Sequence, residues 1–461
     1  MATIRSFRHV AAAAALLAAC DTTVTNPGPV PDDDLNNPLA YNAIVTGARL
    51  QLARAYGSDA AFGGQIAYWS AVLAFEINPA GSTGSFGIPT LVQAGTITAQ
   101  LSSGDWTAAN LARFVAEDAL RRFAANAARD PLLAPTPRQI SEVAVWAGYA
   151  NRLLGETFCG AVLPVTDPDG SLSPGDSTAH TDYFLRAEQH FTSALQTAGT
   201  VTPDSVRIRI VNSARAGRAS VRLDLASWGV GGTAMWDSAA ADAALVPNTF
   251  VFRLPFSDQD QNQYNYIYWA RAATPYRAHT QWGTFHEGYY RTTRDARVAW
   301  DSTALLGDAA VAKFGGRVPF WPERKHNARN SPINLSSGWE MRLIEAERAL
   351  VGGDPATAVN LMNQRRTNLA LPTYDNTVSA DSAWSLLKFE RAVELWLEAR
   401  RLGDLRRWIV NGVPGSYPDG LYRASIADTL HTTPLENMTT PVARSLCFPI
   451  GQNERDTNPN F

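Results

Sequence analysis

The chain has 461 residues, 45% hydrophobic and 18% charged, with a formal net charge of −3. That is ordinary for a globular chain with a large core, and so even a charge balance gives no reason to expect a nucleic-acid partner. No apolar run reaches the roughly 18 residues of a transmembrane helix, and the three cysteines contain no CxxC pair, so neither a membrane span nor a structural zinc site is expected.

The N-terminus has the pattern of an export signal. Arg5 and Arg8 precede the apolar stretch 10–19. At about 1.5 Å per residue this stretch is about 15 Å long, too short to span a bilayer. Leu17, Ala18, Ala19 and Cys20 resemble the processing box of a bacterial lipoprotein, with cleavage before Cys20 and lipid on that residue. Two or three acyl chains there would anchor stably, at about 0.8 kcal/mol per buried methylene. A secretion signal with a chance cysteine is the alternative. Residues 1–19 are thus a signal peptide, 20–37 a polar, Pro-rich, acidic tether, and 38–461 the globular part.

Helical periodicity follows. Leu111, Phe114, Val115, Ala119 and Phe123 recur at helical spacing, with Ser103 and Asp105 as candidate caps. After Pro137, a second stripe runs through Ile140, Val143, Ala144, Ala147, Leu153 and Leu154. A third helix carries Phe184, Ala187, Phe191, Ala194 and Leu195 and stops at Gly199. Its partner, about 208–228, is dense in small residues (Ala214, Ala216, Gly217, Ala219, Ser220) that allow close approach. The clearest pair is 339–351 and 355–369. Gly352 and Gly353 end the first helix; Asp354 caps the second and Pro355 fills its first turn. So short a link makes the two antiparallel neighbours. Four candidate pairs with a period of about 34 residues suggest tetratricopeptide-like units. The expected fold is mostly α: a tetratricopeptide-like scaffold of helical pairs at about 38–230 and 339–412, a loop-rich aromatic insertion at about 231–338, a C-terminal segment 413–461, and few short strands.

Residues 385–408 are the strongest single signature. Glu390, Glu394 and Glu398 repeat every four residues beside Arg391, Arg400, Arg401, Arg406 and Arg407. Aligned carboxylates invite a metal or catalytic reading, but like charges at this spacing repel unless cations compensate them. Glu390, Arg391, Glu394, Glu398, Arg401, Asp404 and Arg407 are therefore read as a structural charge network, locking a helix against a turn at Gly403, Asp404 and Leu405. No catalytic residue, metal ligand or cofactor is assigned.

Three blocks, in order and spacing, resemble the SusD/RagB family of outer-membrane nutrient-binding lipoproteins. They are 341–372 (MRLIEAERALVGGDPATAVNLMNQRRTNLALP), the helix 390–408, and the closing FPIGQNE and NPN of 448–460. The stretch 148–164 is a weaker fourth match. Ala399 departs from the family's usual glycine, and the turn 159–164 is drawn out. The resemblance implies a SusD-like fold and a non-catalytic, lipid-anchored protein exposed at the outer membrane. It also implies capture of an oligosaccharide and delivery to a SusC-type TonB-dependent transporter. Peptide uptake, as in RagB-like members, is the alternative ligand class.

Aromatic density peaks at 259–321. A flat ring can take the C–H face of a sugar while amides, carboxylates and guanidinium groups take its hydroxyl rim. Trp282, Tyr289, Tyr290, Trp300 and Trp321 are the candidate ligand residues, with Trp69 beneath a loop at 78–89 expected to close over the site. Tyr264, Tyr266 and Tyr268 alternate as on a strand face. A glycoside hydrolase would need two carboxylates, for which Glu287, Asp295 and Asp301 are available, but no HExxH, GxSxG or P-loop is present. Cys159 and Cys447 are open to pairing or to remaining two buried thiols.

Overall fold

The computed structural model describes residues 32–57, 64–81, 87–166, 171–272, 276–311, 315–418 and 444–461. Cys20, the expected signal peptide, most of the expected tether and the centre of the 78–89 loop lie outside the described residues.

Helices α1 (Tyr41–Gly57), α2 (Ile66–Leu73) and α3 (Thr90–Gln93) open the fold, followed by the long α4 (Ala99–Arg129). Thr98, not Ser103 or Asp105, caps α4: its side chain accepts from Leu101 N. Asp105 is buried and accepts from the backbone of Gly64 and Gln65 at 3.0 and 2.6 Å. The expected apolar stripe is rotated. Ala109, Ala112, Ala116, Ala119 and Phe123 face inward, while Leu111 and Phe114 are exposed. Helix α4 packs against α1 on one side and α5 (Pro137–Thr157) on the other. Alanines suit two close neighbours, so the bulky residues turn outward.

Thr136 and Gln139 form a capping box at the start of α5, with Pro137 in its first turn. Next come α6 (Thr181–Ala198), α7 (Asp204–Ser227) and α8 (Gly232–Ala244), each packed on the one before. Phe191 of α6 explains two helical glycines. A Cβ on Gly148 of α5 would lie 2.5 Å from its ring, and one on Gly217 of α7 only 2.3 Å. The small residues expected on α7 therefore admit an aromatic ring from between two helices. Helix α8 falls inside the stretch expected to be loop-rich, yet joins the scaffold. Ala239 and Ala243 share a core with Ala216, Leu223, Met341 and Ile344.

Two short helices, α9 (Tyr266–Arg271) and α10 (Phe285–Thr293), carry much of the aromatic region. Tyr266 and Tyr268 are thus helical and do not alternate along a strand. Asn265 starts that helix by accepting from Tyr268 N, a cap that outweighs the alternation. Helices α11 (Gly338–Val351) and α12 (Pro355–Asn368) form the antiparallel pair, joined as expected at Asp354, which accepts from Thr357 N. They close a second core with α13 (Ala380–Glu394) around Leu343, Ala346, Val359, Met362, Trp384 and Leu387. The last helices are α14 (Arg401–Val410) and α15 (Gln452–Thr457). The described strands make only two-stranded antiparallel pieces, including 78–79 with 279–280, 160–162 with 177–179, and 251–254 with 333–337. No described helix is long and apolar enough to cross a membrane.

The 385–408 signature is two helices, not one. Helix α13 ends at Glu394, and the chain turns through Leu397 (φ 58°) and Ala399 (φ 60°), both left-handed. Gly403, Asp404 and Leu405 lie within α14 and form no turn. Glu76 holds the break. Its carboxylate accepts from Leu397 N at 2.9 Å, and its carbonyl accepts from Trp396 Nε1 at 3.2 Å.

Burial pushes the Glu76 carboxyl up to about 7, against the pull of the Leu397 N–H, Arg401 and Lys325. An acid raised by folding contributes stability below its unfolded pKa, and that contribution is lost as pH rises through about 7. Glu76→Gln keeps an acceptor for Leu397 and removes the titration. From about pH 5 to about pH 8, urea unfolding should show stability shifting in the variant's favour by about 1–3 kcal/mol. A pH-independent difference would contradict this assignment.

Cys159 and Cys447 form a disulfide, with Cα atoms 5.2 Å apart. The tail around it docks on the N-terminal half of the fold. Cys159 N donates to Phe448 O at 2.9 Å and Phe448 N to Thr157 O at 2.8 Å. Ser102 Oγ donates to Pro449 O at 2.8 Å, Trp106 Nε1 to Glu454 at 3.1 Å, and Asn458 Nδ2 to Gly175 O at 3.0 Å. The FPIGQNE and NPN block is thus the segment that fastens the C-terminus onto α4 and the loop at 174–175.

Candidate functional site

Thr280 sets the frame of the aromatic region. Its strand pairs with Asn78 and Pro79. Its hydroxyl accepts from the backbone N–H of Trp282 (3.1 Å) and of Trp321 (2.9 Å), and donates to Pro319 O (2.9 Å). One oxygen thereby fixes two of the candidate tryptophan backbones. Thr284 then caps α10 by accepting from Glu287 N at 3.2 Å, and Arg294 ends it in the left-handed region (φ 58°).

Three candidates come together. The Trp300 and Trp321 rings stack, 5.0 Å apart and 14° from parallel, and Tyr290 meets Trp300 edge-on at 5.9 Å. The Arg291 guanidinium lies 5.5 and 5.3 Å from the two indole centroids, and Arg294 lies 5.3 Å from the Tyr290 ring. Trp300 is 8% exposed, and its Nε1 donates to Glu287 O at 3.3 Å. It is the backing plate, whereas Trp321 and Tyr290 are half-buried and offer surface.

The other three candidates make different contacts. Tyr289 points towards the scaffold. Its hydroxyl donates to Asp295 at 2.9 Å and its ring meets Phe389 edge-on. Trp282 packs on Ala80, Val311 and Val318, and its carbonyl accepts from Asn78 Nδ2 at 2.9 Å. Trp69 sits within the main core on α2, 8% exposed. The start of the 78–89 loop passes beside Trp282 at Ala80 and runs close to Gly307, where a Cβ would lie 1.9 Å from Ala80 O.

The carboxylates considered for hydrolysis are engaged. Glu287 accepts from Arg291 and from Gly283 N. Asp295 accepts from Arg297 and Tyr289, which outweigh burial and hold its carboxyl below the usual range. Asp301 is an exposed partner of Arg324 at 3.2 Å. Among the described residues, no cluster of three His, Cys, Asp or Glu could hold a metal ion.

The charge-network residues meet cations drawn from several elements. Glu390 accepts from Arg297 and Arg366, both at 2.8 Å. Glu394 accepts from Arg297 at 3.0 Å and Arg365 at 2.8 Å. Glu398 accepts from Lys325 at 2.7 Å and Asn334 at 2.8 Å. Arg391 and Arg407 close on Asp404 at 2.8 Å, and Arg407 also grips Glu347. Arg401 donates to Ala74 O at 3.1 Å and covers the Phe285 ring. Arg297, one of the polar residues interleaved in the aromatic stretch, also joins this network. It ties the aromatic region to α13 through Asp295, Glu390 and Glu394. No local spacing signals a partner 93 residues away.

Residues 256–461 match the SusD family model. A SusD homolog from Bacteroides thetaiotaomicron has the same fold, at TM-score 0.66 and 15% identity over 93% of this chain and 96% of that one. The C-terminal part of the chain thus carries the SusD family's sequence pattern, and the chain as a whole has the fold of SusD proteins. A SusD-like carbohydrate binding protein from Bacteroides vulgatus shares the fold (TM-score 0.59, 14% identity, 92% and 97% coverage). So does a protein whose crystal structure contains xylogluco-oligosaccharide (TM-score 0.59, 12% identity, 80% and 82% coverage). No curated protein sequence matches the chain. In the matched region the first two motif blocks are one ion-paired joint: Arg366 of α12 binds Glu390 of α13, and Glu347 of α11 binds Arg407 of α14.

Proposed function

We propose that this protein is a non-catalytic, lipid-anchored binder at the outer membrane. It captures an oligosaccharide and hands it to a SusC-type TonB-dependent transporter. The observation that carries this reading is the face formed by Tyr290 and Trp321, backed by Trp300 and flanked by Arg291 and Arg294. Flat rings accept the C–H face of a sugar, and guanidinium donors reach its hydroxyls. Each stack contributes about 0.5–1.5 kcal/mol beyond burial. Two or three stacks correspond to dissociation constants on the order of micromolar to millimolar, adequate for capture and release. The oligosaccharide held by a protein of the same fold supports this ligand class. Lipidation at Cys20 rests on the Leu-Ala-Ala-Cys box, and the disulfide supports an exported, oxidising location.

A panel of oligosaccharides and peptides, followed by calorimetry on the best ligand, tests the proposal. Trp321→Ala should weaken an oligosaccharide about tenfold, equal to about 1.4 kcal/mol, with no new reducing ends formed by the parent. Binding of peptides alone would replace the ligand class with the RagB-like one, and unchanged affinity in Trp321→Ala would displace the site.

A further inference from the structure

The N-terminal helices enclose a cleft of about 480 Å³, lined by α1, the start of α5, α7 and the strand at 251–254. This is within the usual range of about 300–1,000 Å³ for small-molecule sites. It shares no lining residue with the Tyr290–Trp321 face. Its floor is apolar: Val45, Trp146, Ile210 and Phe252 are all buried, and the Trp146 and Phe252 rings stack at 5.0 Å. Its rim is polar. Gln139 Nε2 donates to Asn42 Oδ1 at 2.9 Å, and Gln139 Oε1 accepts from Thr136 N. Gln139 is thereby fixed, and the Asn42 amide N–H groups remain available at the rim.

The charges at this rim do not balance. Arg49, Arg138 and Arg209 face one carboxylate, Glu142. Glu142 accepts from Arg209 at 2.9 Å and from Arg138 at 3.2 Å. Each guanidinium carries five N–H donors, so both arginines keep donors for another acceptor. Arg49 is exposed and has no charged partner among the described residues. A neutral sugar would leave this positive excess unanswered, whereas a small inorganic anion would leave the apolar floor and most of the volume empty.

We propose that this cleft is a second binding site, one that takes an acidic sugar unit, its ring over the Trp146–Phe252 floor and its carboxylate against Arg49 and Arg209. Charge-assisted hydrogen bonds to a carboxylate are the stronger kind, and their attraction at an exposed rim weakens with salt.

The test titrates the full chain by calorimetry with a galacturonate trimer, a neutral glucose trimer of equal length and inorganic phosphate. The uronate should bind at least about tenfold tighter than the neutral trimer, with affinity falling as salt rises and no displacement by phosphate. Arg49→Glu, an exposed change whose folding circular dichroism can check, should weaken uronate binding by a similar factor. Trp321→Ala should leave it unchanged. Equal affinity for the neutral trimer, salt-independent binding, or indifference to Arg49→Glu would each overturn the proposal. Loss of uronate binding in Trp321→Ala would move the acidic sugar to the aromatic face. Failure here leaves the aromatic face untouched, because that reading is tested separately by Trp321→Ala.

Discussion

Cys447→Ser is expected to lower stability by on the order of 5 kcal/mol. The bond joins residues 288 positions apart, and the entropy removed from the unfolded chain grows with the logarithm of loop length, reaching about 4.7 kcal/mol for a 100-residue loop. Around it the tail has its own attachments: the paired backbone bonds at Thr157, Cys159 and Phe448, and the edge-on contact of Phe158 with Phe448 at 5.8 Å. These survive the substitution, so the variant should stay folded and unfold at lower denaturant. Guanidinium unfolding without reductant, on Cys447→Ser, Cys159→Ser and the double variant, checks this. All three should fall by the same amount. A loss below about 1 kcal/mol, or losses that add, would show that the two sulfurs are not bonded.

Arg407→Met should cost about 3–5 kcal/mol, the usual effect of leaving buried charges without their partner. Arg407 is 2% exposed and binds Asp404 at 2.8 Å and both oxygens of Glu347. Burial alone would raise the Asp404 carboxyl, but Arg391 and Arg407 outweigh it and hold it at about 2. Among the described hydrogen-bond donors, Glu347 would retain only the Trp408 indole N–H at 3.0 Å. Lysine cannot reproduce the two-pronged grip, so Arg407→Lys should recover little. Urea unfolding at neutral pH measures both. The sign of the pH effect is also fixed. A carboxylate depressed by folding contributes stability above its unfolded pKa near 3.8, and that contribution is lost as pH falls through about 2. The parent should therefore lose more stability than Arg407→Met on acidification over that window.

Helical pairs were legible wherever period, cap and stop coincided, as at Gly352, Asp354 and Pro355. They were misread where a helix has two close neighbours. On α4 the alanines face inward and Leu111 and Phe114 face outward, which inverts a rule that assigns bulk to the core. The α13–α14 break was hidden because Leu397 and Ala399 are ordinary helix formers. They take left-handed conformations under tertiary control from Glu76 and Lys325. In the candidate site, composition pointed to the stretch 259–321 but not to the grouping within it. Tyr290, Trp300 and Trp321 meet because Thr280 and α10 bring them together, and Tyr289, one residue away, turns to Asp295 because α10 gives adjacent residues different directions. The charges of the α1–α5–α7 cleft are contributed by three helices distant in sequence, so no motif announces them.

The sulfur bridge also has a topological consequence. Any single backbone cleavage between Cys159 and Cys447 yields two pieces that stay on one covalent thread. A severed molecule would migrate as an intact one on a gel until a reductant separates its fragments, so a nick in that span does not shed the C-terminal end.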